Sequence, residues 1–171
     1  MNVRARPESE SRAGWGLIAG TLFLAWLLRL PPLEGWLLWL RPDTLLIVLF
    51  IWVLKRPSRV GMGLAWPLGL LTDFQEGVVL GQYALAYTVA VYVLLVVRRR
   101  MALFSYVQQA AHIFVALVVA QCVVLVAGWV SGHALQHGWV VLSVVTGTLL
   151  WWALARWVRV PIARNLAERK H

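Results

Sequence analysis

The stretch GLLTDFQEGVVLGQYAL, residues 69–85, sets two carboxylates, Asp73 and Glu76, between long apolar runs, with no basic residue within twelve positions of either. Three chemistries suit acids in such a place. They can cap the turn of a helix hairpin by accepting free backbone N–H groups. They can make a polar contact with another helix or a partner chain, or couple to protons or ions at membrane depth. Coupling usually needs further acids deep in the apolar segments, and the later long segments contain none.

Other residues invite the same question. His133 and His137 are four apart, a spacing that zinc ligands use, but no cysteine is near and Gly132 and Gly138 flank them, which favours a solvated loop. Gln108, Gln109, His112 and Gln121 run along one apolar segment, where they suit interhelical hydrogen bonds, interface solvation or a ligand pocket. Cys122 is the single cysteine, so no intrachain disulfide can form. There is no HExxH, GxSxG or P-loop, and Ser105 and Ser143 have no base beside them. These absences favour a non-enzymatic protein without cofactor or metal.

The elements that must position these residues are membrane helices. The chain is 61% hydrophobic and 13% charged, with mean hydropathy +0.73, against about 25% charged residues in a soluble domain. Its 16 basic residues outnumber 7 acids, yet they punctuate apolar runs instead of forming one patch, which argues against nucleic acid. Six apolar stretches stand out: Trp15–Leu30, Asp43–Leu54, Val60–Thr72, Val78–Val97, Phe104–Val130 and Trp139–Val158. This implies an all-α, polytopic six-helix transmembrane bundle with short loops.

The second and third stretches are short against the roughly 20 residues that a full span needs. Glu34–Arg41, with Trp36 and Trp39, can extend the second or lie at the interface. The third can tilt or kink at Pro67, and five spans with a re-entrant segment is the alternative. Charge supports six. With the N-terminus cytoplasmic, 14 of the 16 basic residues fall on the cytoplasmic side, leaving only Arg29 and Arg41 outside. Both termini are then cytoplasmic.

The polar residues 1–13 read as a disordered cytoplasmic segment, 14–160 as the membrane domain and 161–171 as a basic cytoplasmic tail. The first apolar run lacks a small-residue cleavage site, which marks a retained helix rather than a signal peptide. Gly16/Gly20, Gly77/Gly81 and Gly128/Gly132 recur at a spacing that lets helices approach closely, within the fold or between copies of the chain.

The order LRPDTLLIVLFIWVLKRPSRVGMGLAWPLGLLTDFQEGVVLGQYALAYTVAVYVLL resembles the MreD family of rod shape-determining membrane proteins. The matching features are Arg41-Pro42, Trp52, Pro57 with Arg59, Gly69, Asp73, Gly77, Leu80-Gly81, Ala84-Leu85 and Tyr92. YVQQA (106–110) and GTLLWW (147–152) also look like the family, whereas Glu76 stands where the family more often has a small or polar residue. The resemblance implies a scaffold of the bacterial cell-elongation machinery in the inner membrane. Such a scaffold binds the bitopic protein MreC and helps connect MreB filaments to the polymerase RodA and its transpeptidase partner. The basic cytoplasmic turns would also suit anionic lipids. The family's helix arrangement is similar to that of the substrate-binding subunits of vitamin-uptake transporters, which implies small-molecule binding as the alternative. The partner or helix-packing candidates are Gly16, Gly20, Arg41, Pro42, Pro57, Arg59, Asp73, Glu76, Gly77, Gly81, Gln108 and Gln109.

Overall fold

The computed structural model describes residues 8–30, 42–101, 105–132 and 140–158. They form six helices: α1 (Glu8–Leu27), α2 (Thr44–Lys55), α3 (Met62–Glu76), α4 (Gln82–Met101), α5 (Tyr106–Val130) and α6 (Val140–Val158). The six follow the six apolar stretches in order.

Local chemistry sets the boundaries. Asp43 caps α2 by accepting the Leu46 N–H at 3.1 Å, which orders one of the donors that a helix start leaves free. Ser105 and Gln108 form a reciprocal capping box at the start of α5. α3 ends at Gly77, whose φ of +64° is left-handed and disfavours any residue with a Cβ. Pro67 sits inside α3 without ending it.

α2 is the centre. Leu45, Leu46, Ile47, Leu49, Phe50 and Val53 are all fully buried, as befits a helix that is apolar on every side. α1, α4 and α6 surround it, while α3 packs on α4, α4 on α5 and α5 on α6. α3 and α4 approach each other closely. A Cβ on Gly69 would stand 2.3 Å from the Ala84 Cα, so only glycine permits this contact.

The outer surface is strongly apolar: Phe74 is 82% exposed and Trp129 80% exposed. Such patches mark a membrane or partner surface. In α5, Val107–Val130 is by itself long and apolar enough to cross a membrane, with mean hydropathy 2.6. The apolar parts of α1, α2, α4 and α6 are shorter. These features support membrane association.

Three expectations need correction. α1 starts at Glu8, taking in residues that polarity alone had placed outside it; Glu, Arg and Ala are adequate helix formers regardless of hydropathy. α3 runs to Glu76, so both acids sit in its last turn rather than beyond it. Gly77 and Gly81 have φ of +64° and +103°, and Gly132 has +73°, so these glycines shape turns and do not line a helix face. Spacing alone cannot tell a packing pair from two turn residues.

Candidate functional site

The ends of four helices meet in one buried polar cluster. Arg29 follows the last turn of α1 and is 7% exposed. Its Nη1 donates to Asp43 Oδ1 at 2.9 Å and its Nη2 to Glu76 Oε1 at 2.9 Å. Nη1 also donates to the Tyr87 hydroxyl at 2.8 Å. That hydroxyl donates in turn to Asp43 at 2.7 Å and accepts from Thr72 at 3.4 Å. The guanidinium lies 6.0 Å from the Tyr83 ring centroid, and Tyr83 meets Tyr87 edge-on.

Each position follows from its helix. Asp43 is held as the α2 cap through Oδ1, the same oxygen that accepts from Arg29, and both of its carboxylate oxygens lie 2.7 Å from the Tyr87 hydroxyl. Glu76 ends α3, and Thr72 is one turn earlier on the same helix. Tyr87 is one turn beyond Tyr83 on α4. A buried guanidinium would be costly alone, and two carboxylates, a hydroxyl and an aromatic face stabilise it.

Asp73 stands apart from this cluster. Its carboxylate accepts the N–H groups of Gly81 at 2.9 Å, Tyr83 at 2.6 Å and Ala84 at 3.3 Å. Its carbonyl accepts the N–H groups of Gly77 and Val78. One residue thus closes α3 with its backbone and opens α4 with its side chain. Nearby, Gln82 donates to the Val124 carbonyl at 2.7 Å and ties the same turn to α5.

The other candidates are spread over the fold. Pro42 precedes the α2 cap, and its carbonyl accepts the Thr44 N–H. Pro57 lies in the turn from α2 to α3, where the Arg59 N–H donates to the Arg56 carbonyl. The Arg59 guanidinium is 6.0 Å from the Trp15 ring, joining this turn to the start of α1. Gln108 is exposed in its capping box, while Gln109 is buried. Gly16 and Gly20 are exposed on α1, and a Cβ on either would meet nothing within 4 Å. At about 100° per residue they lie opposite Ile18, Leu22 and Ala25, the side packed on the core. Arg41, His133 and His137 lie outside the described residues.

Arg29, Thr72, Tyr87 and Gly69 carry this architecture, and pattern reading had assigned none of them a role in it. For Arg29 a signal existed. In the six-span reading of the charges, Arg29 is one of two basic residues expected on the side of four acids, which makes an acidic partner for it an expectation without saying which acid. Tyr87 gives no such signal.

The cluster joins helix ends and offers no reactive pair to a substrate. Among the described residues, no group of three His, Cys, Asp or Glu is placed to hold a metal ion. The family model for the rod shape-determining protein MreD matches residues 11–160. The rod shape-determining protein MreD of Haemophilus influenzae is 34% identical over 80 residues, covering 47% of this chain and 49% of that protein. The chain therefore spans about half the length of the curated relative it matches. No solved structure matches it. A family model that covers most of the chain, with a relative agreeing over its matched half, makes this chain a member of the MreD family of rod shape-determining proteins.

Proposed function

We propose that this protein is a membrane scaffold of the cell-elongation machinery, which holds an MreC-like bitopic protein through helix contacts. In this reading residues 14–160 span the bacterial inner membrane six times and both termini are cytoplasmic. Through its partner, the scaffold helps couple cytoplasmic MreB filaments to peptidoglycan synthesis by RodA and its transpeptidase. Its basic turns, including Lys55, Arg56 and Arg59, face anionic lipid headgroups.

The observation that carries the reading is the outward face of α1. Gly16 and Gly20 leave open backbone there, and Leu17, Leu24 and Leu27 flank them exposed. Single membrane helices dock on such a face, because small residues let two backbones approach. α2 offers less, since it is buried except for a half-buried stripe of Thr44, Val48, Trp52 and Lys55 that carries no glycine. The Gly77/Gly81 turn offers none either. A small-molecule-binding subunit, the alternative, has less support. Asp73, Glu76 and Gln82, the polar groups that would orient a ligand, are each engaged within the fold.

The test is affinity purification of the chain from its own membranes in mild detergent, with partners identified by mass spectrometry. Near-stoichiometric recovery of a bitopic MreC-like protein is expected. Recovery of the chain alone, or with an ATPase module, would overturn the scaffold reading and favour ligand binding.

A further inference from the structure

We propose that a second copy of this chain docks along α5, with the Gln121 amides of the two copies hydrogen-bonded to each other across a two-fold axis. The proposal rests on the membrane-embedded reading given above. In α5, Val107–Val130 is long and apolar enough to cross a membrane. Gln121 lies nine residues from one end of that stretch and fourteen from the other, or ~14 and ~21 Å along the helix. Its side chain is half-buried, and among the described residues it has no hydrogen-bond partner. Gln82, near the end of its own helix, is by contrast held by the Val124 carbonyl. An amide left unpaired in hydrocarbon is costly, and acyl chains carry nothing that could pair with it.

The residues around Gln121 give this side of α5 its form. Val107, Ala111, Phe114, Val118, Gln121 and Leu125 follow one another at alternating spacings of four and three, the seam of a left-handed helix pair. The first three are exposed and the last three half-buried, whereas Ile113 and Ala120 turn to the core. Amide chemistry and topology select the occupant. A carboxamide both donates and accepts, so two of them facing each other close a pair of N–H···O bonds. Copies of one chain enter the membrane in the same orientation. A two-fold axis along the membrane normal therefore sets α5 parallel to its counterpart, with each seam residue facing itself at the same depth. A single polar residue in such a seam fixes register and oligomeric state. A different helix would need a polar group of its own at that depth, whereas a second copy brings one by construction.

Fluorescence energy transfer between two labelled pools of the full chain, in phosphatidylcholine vesicles at varied protein-to-lipid ratio, tests this. The wild-type chain should dimerise. Gln121→Leu removes the amide at similar volume and should raise the dissociation constant of the dimer about tenfold, as expected for a pair of interhelical hydrogen bonds. It breaks no bond within the fold, so its melting temperature should not fall. No transfer by the wild-type chain, unchanged transfer by Gln121→Leu, or a lowered melting temperature for that variant would overturn the proposal. Oxidative cross-linking in native membranes locates the contact. Val118→Cys in a Cys122→Ser background should give a covalent dimer, whereas the native Cys122, exposed but one position off the seam, should give little. Equal cross-linking from the two positions, or adducts of position 118 with a different protein only, would overturn the seam. Release of the chain from membranes by alkaline carbonate would overturn the embedded reading itself. A chain that resists carbonate yet stays monomeric would overturn the dimer alone.

Discussion

Arg29 donates to Glu76 at 2.9 Å across 47 residues of sequence, and this ion pair joins the end of α1 to the end of α3. The two helices are otherwise separated by the apolar groove along their length. The same guanidinium reaches Asp43 at the start of α2. One charge therefore fixes where three helices end relative to one another.

Removing that charge leaves the buried Asp43 carboxylate without its cation, while the Glu76 carboxylate keeps access to solvent. Arg29→Met should lower stability by about 3–5 kcal/mol, the range for breaking a buried pair on one side only. Arg29→Met combined with Glu76→Gln should recover part of the loss, because one uncompensated charge is gone. Thermal unfolding in detergent, followed by tryptophan fluorescence, measures both. A single variant as stable as the wild type would show that the pairing does not hold these ends.

Asp73 acts through backbone donors rather than through a cation. Asp73→Asn keeps an acceptor and should cost about 1 kcal/mol. Asp73→Leu leaves three N–H groups of the α4 start without their acceptor and should cost more, roughly 2 kcal/mol or beyond. The same unfolding assay ranks the two. Equal stability of both variants, with equal loss of function, would point to a role for the charge itself.

Gly69 permits a close approach of α3 to α4. Gly69→Ala forces a Cβ against the Ala84 backbone and should destabilise the protein by about 1–3 kcal/mol. Gly63→Ala on the same helix meets nothing within 4 Å and should leave the melting temperature unchanged or slightly raised. Similar effects from both substitutions would mean that α3 and α4 do not touch at Gly69.

Topology has its own test. Cysteines at Ser58 and Gln136, in a Cys122→Ser background, should react with a membrane-impermeant thiol reagent from opposite sides only. Labelling of both from one side would contradict six spans.

The elements were legible because hydropathy reports directly on what must leave water. The start of α2 was marked by Asp43 before an apolar run, and the order of all six helices followed from the apolar stretches. Helix ends were less legible: α1 extends into polar sequence at Glu8, and α3 carries its two acids inside its last turn. Hydropathy does not register a helix that continues past the apolar segment. The Ser105–Gln108 box has a readable spacing, but those glutamines first suggested interhelical bonds because the segment is so apolar. The Arg29 cluster was the least legible part. Its members are separated by up to 58 residues, as for Arg29 and Tyr87, and only the fold brings them together.

If the outward face of α1 holds a single-helix partner, as proposed, co-purification of the MreC-like protein should separate the wild-type chain from Gly20→Leu, each normalised to the amount of chain recovered. Val115→Leu, on an exposed part of α5, serves as the control. Gly20→Leu should lower partner recovery on the order of tenfold, since a bulky side chain there keeps the helices apart. Val115→Leu should leave recovery unchanged. Equal recovery with Gly20→Leu and with the wild type, at equal chain levels, would contradict the claim.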